Sequence, residues 1–584
     1  MAEGHPAIPT SGSARLRRLA APGYALLLSL LLLAPLLGPG YLLLRDAVST
    51  PRSWLSDAAL GLSEGAARAV PQDFAIASAS ALLDGGIVVK ALLLAGLWLA
   101  GWGAARLVSS ATGYTGGGPF VAVTLAIWNP YVAERLLQGH WSLLLGYGCL
   151  PWVALTALRL RDGGGGWFAL AFWMALAGLT PTGLLLAAVT ALTCLAAPGA
   201  GSRARQGLGI LALSLAAAAP WLIASAGGAL GTYRGAGAPG FDAFAARAEP
   251  GLGVLGSLAG LGGIWNGDAV PPLRDGWFAV VATVVLLGLV LIGARGAWQR
   301  AEARPLLVLA AVAVLLPALA ATGPGRALLQ ATAEVSPGLG VLRDGQKWVA
   351  LAMPGYALCA AAAVPVLAGR GSRLRPAAVA AVCCAALLAT QPDLAFGVGN
   401  RAHAVEYPPA FTAVAQQIND APAPVAVLPA DSMRRFDWAG PAPVLDPLPR
   451  WVRADVLTTG DLSISGSTVY GEGNRAREIQ DLLLAGAAPD ALAEVGVGWV
   501  VVAASPGELG SSARTLAGLE QVYGDDDLRL YRVPDPSPVA ASPRRGLLIG
   551  AHLVWLATLV VGGLGAASLS RFSRRSVRRL DGRR

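Results

Sequence analysis

The sequence predicts an all-α polytopic membrane protein of about twelve transmembrane helices, with a small extracytoplasmic α/β domain inserted before the last helix. Three observations carry this. The 584 residues are 55% hydrophobic and only 14% charged, with mean hydropathy +0.56, a composition of lipid-embedded chains. Apolar runs approaching the roughly 20 residues that cross a bilayer recur along most of the chain. One long polar stretch, 396–543, interrupts them late. Gly (74) and Pro (40) are plentiful, which membrane helices tolerate better than soluble ones.

In order, the runs are 22–44, 85–108, 117–130, 141–158, 166–181, 182–199, 207–227, 276–294, 305–322, 348–369, 376–395 and 546–568. The third is short for a span, and only TPTG (180–183) separates the fifth from the sixth. The first is too long for a cleaved signal peptide and lacks a convincing small-residue cleavage site.

Arginine placement supplies the topology. With the N-terminus inside, the inner segments hold Arg15, Arg17 and Arg18; Arg106; Arg159 and Arg161; Arg203 and Arg205; Arg295, Arg300 and Arg304; and Arg370, Arg373 and Arg375. The tail adds seven arginines between Arg571 and Arg584. Short, basic inner loops are what the positive-inside rule requires. The net charge of +9 therefore anchors topology and meets anionic lipid; it does not indicate nucleic acid. The expected division is a cytoplasmic N-terminus (1–21), a multi-spanning membrane domain (22–395), an extracytoplasmic domain (396–543), a final helix (544–568) and a basic cytoplasmic tail (569–584). This is a multi-pass protein of the cell membrane with both termini inside.

Segment 396–543 carries 18 Asp plus Glu against 10 Arg. Its β-like runs are PVAVLP (424–429), VGWVVVAA (497–504) and LRLYRVP (528–534). Helical patterns lie between them, FTAVAQQIND (411–420) and REIQDLLLAG (477–486). Strands alternating with helices predict a small α/β domain.

Motif searches exclude several chemistries. There is no GxxxxGK[ST] phosphate loop, HExxH zinc site, CxxC pair or GxSxG elbow. The five cysteines lie in apolar runs, and the four histidines (His5, His140, His403, His552) are scattered, so neither a disulfide framework nor a His-based metal site is expected.

Candidate chemistry sits in the outer segments. In the first (45–84), Asp46 stands at the end of the first run, followed by Asp57, Glu64 and Asp73. A carboxylate at the mouth of a bundle suits a general base for a hydroxyl. The plainer alternative pairs Asp46 with Arg45 or Arg52. SWLSDAALGLSEGAARAV reads as an interfacial amphipathic helix. The second segment, NPYVAERLLQGHW (129–141), carries Glu134, Arg135, Gln138 and His140. Adjacent residues on a helix face about 100° apart, so Glu134 and Arg135 need not pair, whereas each shares a face with Gln138. Trp128 and Trp141 read as interface anchors. The third (229–275) offers Tyr233, Arg234, Asp242, Trp265, Asn266, Asp268 and Arg274, with aromatic faces to stack on sugars and polar groups to bond hydroxyls. The fourth (323–348) contains LRDGQKW; Arg343 and Lys347 at i, i+4 suit a phosphate, with Asp344 placed to hold one of them. Lys90, within the second run, reads as snorkelling to the outer edge.

These features resemble the GT-C class of membrane glycosyltransferases, especially actinobacterial mannosyl- and arabinosyltransferase-like proteins. The resemblance rests on the acidic first outer loop, NPYVAERLLQGHW before the fourth run, RDGQKW before a later one, and the late α/β segment. It implies a catalytic carboxylate in the first outer loop, carried onto Asp46 with Asp73 as second choice. It also implies a polyprenyl-phosphate sugar donor, transfer on the outer face, and an envelope glycan or glycolipid acceptor. The loop lacks the paired acids of that class. Arg343, Lys347 and Arg135 are then expected at the donor phosphate, and Glu134, His140, Trp265, Asn266 and Asp268 at the substrate. The donor carries its own leaving group, so no cofactor is required, and a divalent cation is compatible with the scheme. The rival readings are a transporter or flippase for a lipid-linked component, disfavoured by the few ionisable residues in mid-membrane, and a non-catalytic scaffold.

Overall fold

The computed structural model describes residues 11–64, 67–114, 116–227, 239–369, 375–464 and 466–581. Tyr233, Arg234, Arg370 and Arg373 lie outside them, as do the side chains of Arg15, Arg17, Arg18 and the tail arginines from Arg571 on.

Each of the twelve apolar runs contains a helix, but they differ in length. Among the described residues, seven helices are long and apolar enough to cross a membrane: Leu19–Leu36, Gly85–Thr112, Trp141–Arg161, Arg203–Ala226, Phe278–Trp298, Gly345–Ala368 and Arg545–Leu569. Two further candidates are broken, Arg304–Ala320 with Gly323–Val335 bent by 90°, and Pro376–Ala389 with Pro392–Asn400 bent by 72°. Counting each bent pair as one span gives up to nine. Trp167–Ala177 and Pro181–Cys194 are shorter. The third run is only Gly118–Ile127 before the chain breaks at Trp128. The first run stops being helical at Leu36, and Leu43–Leu44 is already a strand.

Two helices form the middle of the bundle. Trp141–Arg161 and Gly345–Ala368 are each 89% buried, against 28% for Arg203–Ala226 and Arg545–Leu569. Small residues permit the close packing. A methyl group on Gly148 would strike the backbone of Gly96, so these two positions bring Trp141–Arg161 onto Gly85–Thr112.

The late polar stretch builds a five-stranded sheet in the order Glu520–Gly524, Leu528–Arg532, Trp499–Ala503, Val425–Leu428, Val456–Leu457. Val425–Leu428 runs parallel to both neighbours, with Val425 opposite Trp499, and Leu528–Arg532 runs antiparallel. Side chains alternate across the sheet. Val425, Val427 and Val501 meet Phe411, Val414 and Ile418 of helix Pro409–Asp420 on one face. Ala426, Leu428, Val500 and Val502 meet Ile479 and Leu483 of helix Asn474–Ala485 on the other. Burial on both faces explains the unbroken apolar runs of the two central strands.

Four local expectations are corrected. SWLSDAALGLSEGAARAV is not one amphipathic helix: Asp57–Leu60 ends at Gly61, whose left-handed φ of +79° stops it. Trp128 and Trp141 are buried, not interface anchors; the Trp128 indole donates to the carbonyls of Leu388 and Gln391. Lys90 does not snorkel. It is buried and donates to the carbonyls of Gly38 (2.7 Å) and Gly40 (2.6 Å), closing the turn after the first helix. The face expected to carry both Arg343 and Lys347 is a 3-10 turn from Gly345. There positions three apart eclipse, so Lys347 meets Asp344 and Arg343 turns elsewhere.

Candidate active site

Asp46 sits at the tip of a two-stranded hairpin, Leu43–Leu44 with Ala47–Val48. Arg45 takes a left-handed φ of +47° to make the turn. The hairpin is held from two sides. On the sheet side, Tyr41 bridges Val405, Arg45 bridges Val444, and Leu445 N–H donates to the Arg45 carbonyl. On the bundle side, Asp46 N–H donates to the Gln138 carbonyl, and the Arg45 guanidinium donates to the carbonyls of Leu137 and Asp268, both at 2.7 Å.

NPYVAERLLQGHW supplies the bundle side. Asn129 caps the short helix Pro130–Leu137 by accepting from Val132 N–H, with Pro130 in the first turn where its missing N–H costs nothing. Gly139 ends it at φ +84°. A Cβ on Gly139 would strike Leu44, Asp46 and Ala47, so only glycine admits the hairpin. His140 then stands at the residue before Trp141–Arg161, makes no side-chain cap to that helix, and faces Asp46 instead.

The contacts form a continuous chain. His140 Nε2 lies 2.9 Å from Asp46 Oδ2, and Gln138 Nε2 donates to the same oxygen at 3.2 Å. His140 Nδ1 is 3.1 Å from Arg135 Nη1. Arg135 grips Asp344 with both terminal nitrogens at 2.8 Å and donates through Nε to Gln346 at 2.7 Å. Lys347 Nζ stands 3.6 Å from Asp344. Asp46 is 38% exposed and Lys347 26%, whereas Arg135 is fully buried. The chain thus presents an anion at one end and a cation at the other.

Burial acts on every group here. It would raise Asp46, but hydrogen bonds from His140 and Gln138 and the Lys347 charge hold the carboxyl below its ordinary value. Burial likewise opposes the Asp344 charge, and Arg135 and Lys347 overcome it and hold Asp344 well down. Burial lowers His140 despite Asp46 beside it. Burial and the neighbouring Glu249 carboxylate push Glu134 up.

The expected residues therefore separate. Asp46, His140 and Lys347 belong to the partly open chain. Asn266 joins it by donating to Gln138 Oε1 at 2.8 Å. The Asp268 carbonyl receives Arg45, and its side chain is exposed. Trp265 packs edge-on against Phe244, over which Arg343 lies at 4.3 Å. Two expectations are corrected. Arg135 is fully buried and engaged by Asp344, Gln346 and His140, so it does not present itself to a donor phosphate. Glu134 is buried, accepting from Gly263 N–H, Ile264 N–H and Gln346 Nε2; it pins a loop rather than contacting substrate. Asp73 stands apart from the chain. It accepts from Arg450 Nε at 3.2 Å beside a cavity of about 10 Å³ that also involves Ser53, Trp54, Ala59 and Pro449, room for about one water. Neither Arg45 nor Arg52 pairs with Asp46; Arg52 donates to Ser53, Ala77 and Ser80.

Gln346 and the buried Glu249–Arg274 pair were not singled out as a group by the sequence. Among the described residues, no group of three or more His, Cys, Asp or Glu is placed to hold a metal ion. A larger cleft of about 510 Å³, lined by Asp162, Gln299, Arg300 and Glu302 among others, lies at the opposite ends of the bundle helices.

By sequence, no protein family and no curated protein matches the chain. By structure, it is similar to the arabinofuranosyltransferase AftD from Mycobacteria, solved by single-particle cryo-EM, with a TM-score of 0.59 and 18% identity over 90% of this chain and 40% of that one. A class of a mutant of AftD matches with a TM-score of 0.55 and 18% identity over 90% of this chain and 42% of that one. The chain spans about 40% of AftD's length. The likeness shows a shared fold: the chain is built like part of AftD over 90% of its own length.

Proposed function

We propose that the chain is a membrane glycosyltransferase that uses a polyprenyl-phosphate-linked sugar to build an envelope glycan or glycolipid on the outer face of the membrane. The observation that carries the reading is the chain of contacts from Asp46 to Lys347. It places a partly open carboxylate and a partly open ammonium within one polar assembly.

In this mechanism the acceptor hydroxyl oxygen attacks the anomeric carbon of the donor sugar. The bond from that carbon to the phosphate oxygen breaks, and polyprenyl phosphate leaves with the electron pair. Asp46 takes the hydroxyl proton. Lys347 stabilises the charge growing on the phosphate. Asn266 and Trp265 line the approach to the sugar. The arginine distribution supports an outward-facing position for this end of the bundle, where a lipid-linked donor and an envelope acceptor would meet. The shared fold with AftD supports the reading and suggests arabinose as the first sugar to try.

The test uses the purified full chain in lipid nanodiscs, a radiolabelled polyprenyl-phosphate arabinose and a synthetic glycan acceptor. Transfer that disappears in Asp46→Asn supports the reading. Undiminished transfer by that variant would remove Asp46 from the mechanism.

A further inference from the structure

We infer that Asp344 and Arg135 are positioning residues that fix His140 as a neutral imidazole with its hydrogen on Nε2, and that this locked imidazole holds Asp46 ionised and oriented. The inference rests on the reading of Asp46 as the base and says how the rest of the chain serves it.

The argument starts from donor counting. A guanidinium has five N–H donors and no acceptor. Arg135 Nη1 faces His140 Nδ1 at 3.1 Å, so Nδ1 must accept and carry no hydrogen. A neutral imidazole then has its hydrogen on Nε2, which points at Asp46 Oδ2, 2.9 Å away. A carboxylate accepts that hydrogen. An imidazolium would set an N–H of Nδ1 against the N–H of Arg135, two donors facing with no acceptor between them. The opposite neutral tautomer would do the same at Nδ1 and would leave Nε2 facing Asp46 lone pair to lone pair.

Arg135 cannot rotate away. Asp344 takes Nη1 and Nη2 together, and Gln346 takes Nε. That fork on a planar carboxylate fixes the plane of the guanidinium. His140 N–H also donates to the Arg135 carbonyl, so the two residues are joined through backbone and side chain alike. Arg135 and Asp344 are separated by 209 positions in sequence, so the fork ties the helix after Asn129 to the turn that carries Lys347. The imidazole is thus a fixed donor. It does not relay the proton that Asp46 receives, because its Nε2 is occupied and its Nδ1 is blocked. That proton must leave from Asp46 towards the open side, where no described residue hydrogen-bonds Oδ1.

The experiment is nitrogen-15 NMR of the full chain in nanodiscs, labelled at histidine, with the His140 signals identified by their loss in His140→Gln. The expected result near neutral pH is a bare Nδ1 and a protonated Nε2. A protonated Nδ1, in either the other tautomer or the imidazolium, would overturn the inference. Functionally, His140→Gln keeps an N–H donor near Asp46 and should retain transfer within about tenfold, whereas His140→Ala should lose about a hundredfold or more. Equal losses in the two variants would count against the donor role. The base reading fails separately. If Asp46→Asn transfers normally while the wild-type tautomer is as expected, the lock stands and the base does not. If Asp46→Asn is inactive and Nδ1 is protonated, the base stands and the lock does not.

Discussion

Asp46 and Asp73 belong to the same loop, and their surroundings differ sharply. Asp46 receives hydrogen bonds from His140 and Gln138 and is 38% exposed, leaving one carboxylate oxygen open. Asp73 is 20% exposed and pairs directly with the Arg450 guanidinium beside a cavity fit for one water. A base needs a lone pair that substrate can reach. An ion pair between segments needs the reverse. The comparison teaches that two acids of one loop are distinguished by what faces them, not by their spacing along the chain.

The largest expected effect breaks this contrast outright. Asp46→Asn should lower transfer by about 10²–10⁴-fold, the range for a general base, with only a modest fall in the denaturation midpoint from the lost carboxylate interactions. Asp73→Asn should do neither beyond a small stability loss; a drop in transfer equal to that of Asp46→Asn would erase the distinction. Asp344→Ala comes next. Removing one partner of a buried ion pair costs about 3–5 kcal/mol, read as a fall in denaturant midpoint, and transfer should fall with it. Gly139→Ala is expected to cost about 1–3 kcal/mol through its left-handed backbone and to reduce transfer through the displaced hairpin. Recovery of full transfer in that variant would show that the hairpin tolerates movement.

The smallest effect sharpens the contrast through pH. Asp46 is held below the ordinary carboxylate value of about 3.9. Its contribution to stability is therefore present above that value and is lost as pH falls through the folded value. Transfer should keep its base over the same range. In His140→Gln the carboxylate keeps a donor, so the acidic limb of the rate profile should stay low. In His140→Ala that limb should move up towards the ordinary value. An unmoved limb in His140→Ala would show that His140 does not tune Asp46.

Much of the fold was legible because its signals are local. The three strands and two helices named in 396–543 appear at Val425–Leu428, Trp499–Ala503, Leu528–Arg532, Pro409–Asp420 and Asn474–Ala485. Each carries an apolar pattern matched to its period. The short strand Val456–Leu457 and the polar edge strand Glu520–Gly524 carried no such pattern. In the bundle, composition located the helices but not their bends or lengths, which depend on neighbours. The site was legible in part. Asp46, His140 and Lys347 were named as separate candidates by residue type and place, and the structure brings them into one chain of contacts. That Arg135 and Glu134 face inward was not, because their partners Asp344, Gln346, Gly263 and Ile264 lie at least 129 positions away and no periodicity reports such contacts. The left-handed Arg45 and the close fit of Gly139 were invisible for the same reason.

The hairpin pairs with residues made about 360 to 400 positions later, at Val405, Val444 and Leu445. Translation delivers Asp46 well ahead of these partners. Until the sheet region has emerged and docked, the hairpin has only its bundle-side contacts. A partly made chain therefore lacks the sheet-side half of the hairpin's support.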